Sequence, residues 1–179
     1  MVKFARSLDD HDMSDSSDLP LQPSSDLERL ITLRDQARAL ILATMDEDGF
    51  PSLSTLPFVW HEGAFWVLMS DLSPHTRQVR RNPTVELMLL EDESRTHNIY
   101  NRVRVTWRSD VTRIERNDTR VHEMFDALKV RHGKILDVLT QLPDFHLHCI
   151  VPGAGRLVNG FGRAFKIDGF ELVAHLRGA

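Results

Sequence analysis

Between residues 40 and 70 the chain passes through "LILATM", "PSLSTLPFVW" and "AFWVLMS", separated by "DEDG" and "HEG". Each run is rich in apolar, β-branched or aromatic residues, and each interruption is a good tight-turn sequence. A connection this short can join only antiparallel neighbours, because a parallel pair needs a crossover of a dozen or more residues. These thirty residues therefore predict a three-stranded antiparallel meander, and with it an antiparallel sheet or barrel in place of βαβ units.

The rest of the chain extends that pattern. Ser25 and Glu28 have the spacing of a capping box, and Leu27, Leu30, Ile31 and Leu33 follow at helical period, predicting a helix over 26–39. Ser73-Pro74 suits a helix start and Asn82-Pro83 a stop, so "SDLSPHTRQVRRNP" reads as a short helix leaving the third strand. "TVELMLL" and "NRVRVTWRSDVTRI" are further strands. The second places Val103, Val105 and Trp107 on one face and Arg102, Arg104, Thr106 and Arg108 on the other. "NDTRVHEMFDALKVRHGKILDVLTQL" is helical, with Asn117 or Asp118 as cap and a break near Gly133. "DFHLHCIVP" and "GRLVNGFGRAFKI" return to strand periodicity, and "GFELVAHLRGA" is expected to end in a short helical segment. The fold class is α+β, mainly antiparallel β, a small barrel with flanking helices.

Residues 1–25 are acidic, serine-rich and poor in core formers, and are expected to be a flexible arm; residues 26–179 form one domain. The net charge of −4 argues against nucleic-acid binding through bulk charge, so any anion site must be local. The lone Cys149 cannot make an internal disulfide and fits a reducing cytoplasm, and no apolar run or leader pattern suggests a membrane.

Two places could hold an anion. A helix entered from a strand end presents free N–H groups and a positive dipole end, and Ser73, Thr76 and Arg77 lie in its first turn; the alternative is a capped helix with solvated arginines. The sheet face carrying Arg102 and Arg104 offers bidentate donors to a polyanion, or is simply a charged exposed face. His146 and His148 share a strand face with Asp144, but H-x-H without a third ligand is read as hydrogen-bonded, and no metal site is assigned. No catalytic acid, base or nucleophile motif is present.

"ARALILATMDEDGFPSLSTLPFVW" followed by "AFWVLMSDLSPHTRQVRRNPTVELMLLED" resembles the pyridoxamine 5'-phosphate oxidase-like FMN-binding split β-barrel family. "LMLLEDE", "NRVRVTW", "QLPDFHLHCI" and "GRLVNGFGRAFKI" are similar to its haem-utilisation branch, the HugZ and HutZ type. The resemblance implies a homodimer with cofactor sites at the subunit interface. For FMN it implies Ser70, Thr76 and Arg77 at the phosphate, with His75 and Arg104 also lining the cofactor, and Ser54 and Thr55 near the ring or ribityl chain. For haem it implies Thr44, His75, Arg104 and Asp144. That branch carries its axial histidine in a tail like "HLxGGH", where this chain reads "HLRGA", leaving His175 as the nearest substitute.

The first reading is thus a cytoplasmic FMN-dependent oxidoreductase acting on a small molecule. The alternative is a haem-binding or haem-degrading protein of the HutZ type, and a further alternative is a carrier or sensor without turnover.

Overall fold

The computed structural model describes residues 23–176, which carry four helices and eight strands. The arm assigned to residues 1–25 lies outside the described residues up to 22. Helix α1 (Pro23–Gln36) begins ahead of the expected start, so Ser25 sits inside its first turn and not at the cap. The meander forms as expected from β1 (Ala39–Met45), β2 (Pro51–His61) and β3 (Ala64–Ser70). Its first turn is closed by Asp46, whose Oδ1 accepts the amides of Asp48 and Phe50. Its second has Glu62 and Gly63 both at positive φ, the backbone of a tight primed turn.

Helix α2 (Pro74–Arg81) stops at Asn82, whose amide donates to the Gln78 carbonyl. Then come β4 (Thr84–Leu90), two single 3-10 turns at Glu93–Arg95 and Ile99–Asn101, and β5 (Arg104–Arg113). Helices α3 (Val121–His132) and α4 (Ile135–Leu139) are split at Gly133, where φ is 89°. Neither Asn117 nor Asp118 caps α3. Asp118 instead accepts the Arg120 amide and binds its guanidinium, and the helix begins one residue later.

The two C-terminal strand segments join in β6 (Phe145–Val158), followed by β7 (Ala164–Asp168) and β8 (Glu171–His175). Over Glu171–His175 the expected terminal helix is a strand: β7 offers a free edge, and these residues pair with it antiparallel, Lys166 opposite Ala174. Pairing of β3 with β6 closes the order β3-β2-β1-β4-β5-β6 into a six-stranded antiparallel barrel, and β7 and β8 extend β6 beyond it.

Strand β6 makes that division. It pairs with β5 along its length, with β3 over Phe145–Ile150, and with β7 over Ala154–Val158. Gly155 lets β5 and β6 approach, since a Cβ there would stand 2.1 Å from the Thr106 carbonyl oxygen. Leu42, Phe58, Phe65, Leu87, Val105, Trp107 and Ile150 fill the barrel, and Trp107 Nε1 donates to the Gly169 carbonyl at 2.7 Å. A second core of Trp66, Met124, Leu128 and Leu136 seats α3 and α4 on the outside of β2, β3 and β6. No helix among the described residues is long and apolar enough to cross a membrane.

Candidate functional site

The end of β3 and the start of β6 meet in a polar corner. Ser70 Oγ donates to Asp144 Oδ2 at 2.6 Å and accepts the Leu72 amide, and the Asp71 amide donates to the Asp144 carbonyl. The chain turns here into α2, with Ser73 at the N-cap position, extended and without a side-chain cap bond, and Pro74 in the first turn. Arg77 is exposed and folds back to the Leu72 carbonyl at 3.0 Å, over the turn that opens the helix. Thr76 faces inward and is fully buried, and its hydroxyl has no partner. His75 is half-buried, and that burial pushes its imidazole below the ordinary histidine range, towards the neutral form. Thr44 on β1 supports the same helix by donating to Gln78 Oε1 at 2.6 Å.

A charged cluster fastens this corner. Asp71 binds Arg80 of α2, His146 Nε2 at 3.1 Å and, at 3.8 Å, Arg113. The Arg80 guanidinium holds the Asp71 carboxyl below the usual carboxylate range. Arg113 also stands 3.0 Å from the buried His146 ring. His148 lies behind, its Nδ1 donating to the His146 carbonyl, and burial pushes its pKa down to about 4. The two histidines of the H-x-H segment are therefore committed to hydrogen bonds.

Arg104 is at the opposite end of the barrel. It begins β5, whose far end is Arg113, about 30 Å away along an extended strand. Among the described residues its guanidinium makes one bond, to the Arg102 carbonyl. Beside it a cleft of about 850 Å³ between α1 and the β4–β5 connection is lined by Arg29, Arg38, Arg95, Glu91 and Arg102. His175 on β8 is near this end too, donating from Nε2 to the Gly162 carbonyl at 2.8 Å and packing on Phe165. Its Nδ1 is enclosed without a partner. Ser54 and Thr55 fall on opposite faces of β2: Ser54 turns inward with a buried, unpartnered hydroxyl, and Thr55 is exposed beside Leu53.

The fold thus gathers Thr44, Ser70, His75, Thr76, Arg77 and Asp144 in one corner and leaves Arg104 and His175 at the other end. Sequence reasoning missed Asp71, Gln78 and Arg113, which hold the corner. Their only signal is position, since nothing local shows that Arg113 will lie over His146. It also missed Arg156 and Lys166, on outward-facing positions of β6 and β7, although the alternation of "GRLV" and "AFKI" puts both on polar faces.

A family model described as pyridoxamine 5'-phosphate oxidase matches residues 28–159. The chain is 35% identical over 140 residues to the protein named "Heme oxygenase HutZ" of Vibrio cholerae, covering 78% of this chain and 80% of HutZ. Among solved structures it superposes on the crystal structure of HutZ, the heme storage protein from Vibrio cholerae, with a TM-score of 0.68 and 31% identity, over 80% of this chain and 96% of that one. Campylobacter jejuni ChuZ matches with a TM-score of 0.78 and 27% identity over 86% of this chain, which spans 63% of the length of ChuZ.

Proposed function

The chain belongs to the pyridoxamine 5'-phosphate oxidase-like split-barrel family, in its HutZ branch, and from that premise we propose that it is a cytoplasmic haem-binding protein of the haem-degrading type. The observation that carries the reading is the 35% identity to HutZ over four-fifths of that protein's length. The side chains fit the group. Arg104 has donors to spare for a propionate, and burial favours the neutral form of His75, which can stand near a metal without charge repulsion. Haem, when bound, would supply the iron that activates oxygen. The chain's own part is to bind the propionates through Arg104 and to enclose the ring with the corner that carries Thr44, His75 and Asp144.

Arg104 and Arg113, the residue of β5 at the corner, stand about 30 Å apart along the strand, so we infer that one copy does not bring the two parts to one haem. A homodimer can, by setting the corner of one subunit against the Arg104 end of its partner. The outer face of β1 and β2 suits the contact: Met45, Phe50 and Leu53 are 47%, 66% and 72% exposed, an apolar edge that water alone would cover. Leu53→Arg should yield monomers in sedimentation; a dimer that persists would remove this face from the interface.

FMN is the weaker reading. Of the three residues implied at its phosphate, Ser70 is bonded to Asp144, Thr76 is sealed beneath the helix, and only Arg77 is exposed. Titration of the full chain with haemin and, separately, with FMN tests the choice. A sharp Soret band at one haemin per subunit, bleached by a reductant in air, supports a haem-degrading protein. A stable Soret band under the same conditions supports storage, and tight FMN uptake without haemin binding overturns both.

A further inference from the structure

Strand register places three cations in one outward-facing group. Thr106 of β5 stands opposite Arg156 of β6, and Arg156 stands opposite Lys166 of β7, so all three side chains leave the same face. Arg104 is opposite Val158, two residues along from Arg156, which makes Arg104 and Arg156 diagonal neighbours on that face. The opposite face carries Val105, Leu157 and Phe165, all buried, so the orientation is secured by the barrel core.

Like charges directly across a ladder repel, and such pairs are normally offset by an acid nearby. Among the described residues, the side chains of Arg156 and Lys166 make no hydrogen bond or ion pair, and the Arg104 guanidinium bonds only to a carbonyl. Four acids share the face: Glu86 stands opposite Arg108, Asp110 lies two residues past Arg108, and Asp168, two residues past Lys166, stands opposite Glu171; none is paired with any of the three. Three clustered cations without an ion-pair partner among the described residues, in a chain with an acidic excess, are therefore a local feature and not a general basic surface. Its neighbours along the row are apolar, since Thr106 is opposite Met88 and Met88 is opposite Ile41. The surface has one apolar half and one cationic half.

The geometry points to Arg104, Arg156 and Lys166 as a single carboxylate-binding row that receives both propionates of a haem while the apolar half lies against the ring. This rests on the haem reading and extends it, because it assigns Arg156 and Lys166 and makes the two carboxylates the basis of selection. Two guanidinium groups can each bind a carboxylate in bidentate fashion, and the lysine adds a point charge between strands.

The test compares haemin with haemin dimethyl ester, which has the same ring without the two negative charges. Both are titrated by Soret absorbance into the full-length wild-type chain and an Arg156→Ala/Lys166→Ala variant, with Lys166→Gln alone as a milder second variant. The row predicts that wild type prefers haemin to its ester by about tenfold or more, and that the double variant loses this preference while binding the ester as before. It predicts a smaller loss for Lys166→Gln. A wild type that binds haemin and ester equally, or a variant that keeps the preference, overturns the row and leaves the haem reading standing. A wild type that takes up neither overturns both.

Discussion

At the β3–α2 corner each arginine ends on an oxygen or nitrogen of the chain: Arg77 on the Leu72 carbonyl, Arg80 on Asp71, Arg81 on the Met45 carbonyl, Arg113 at His146. On the outward face of β5, β6 and β7, the side chains of Arg156 and Lys166 end on nothing among the described residues. The cations of the corner are used to hold a helix against a barrel, so removing their partners should cost stability. Those of the open face hold nothing in the folded chain, so removing them should cost affinity alone.

The largest effect is expected where the open face depends on backbone contact. Gly155→Ala forces a Cβ onto the Thr106 carbonyl oxygen and must separate β5 from β6, a loss of about 3 kcal/mol or more by urea unfolding. An unchanged midpoint would mean that the row is not held by close strand approach. The corner should respond to pH. His148 has a folded-state pKa of about 4 against 6.5 for the ordinary group, so between these values the unfolded chain holds a proton that the folded chain lacks. Stability should therefore fall as the pH drops from 7 towards 4, by up to about 3 kcal/mol in total, and His148→Gln should flatten that part of the profile.

Asp71→Asn leaves Arg80, Arg113 and His146 without their carboxylate. Because Asp71 is partly exposed, the expected loss is about 2 kcal/mol, below that of a fully buried pair. The smallest effect belongs to the row itself: Arg156→Ala or Lys166→Ala should leave stability within about 0.5 kcal/mol, or raise it slightly, since a like-charge pair is relieved. A loss comparable to that of Asp71→Asn would erase the distinction between the two regions.

Much of the barrel is readable from the chain because turns and strand alternation are local. "DEDG" and "HEG" place two hairpins, "NRVRVTW" sorts its own faces, and Gly133 breaks the long helix where the pattern does. The corner is half legible. The strand-to-helix junction and Arg77 are local features, but Asp71 meets His146 across 75 positions of sequence, which no periodicity reports. The terminal segment suits helix and strand alike by its own residues, and the free edge of β7 decides for strand.

The amino-acid order alone settles the antiparallel class, the short helix after the third strand and the family resemblance, since each follows from neighbours within a few positions. Closure of the barrel by β3 on β6, the change of β6 from β3 to β7, and the alignment of Arg104, Arg156 and Lys166 belong to the tertiary structure. The reason is register. A one-residue slip between two strands would turn Arg156 away from Lys166, and that register is set by the packing of Trp107, Leu157 and Phe165 on the far side of the sheet.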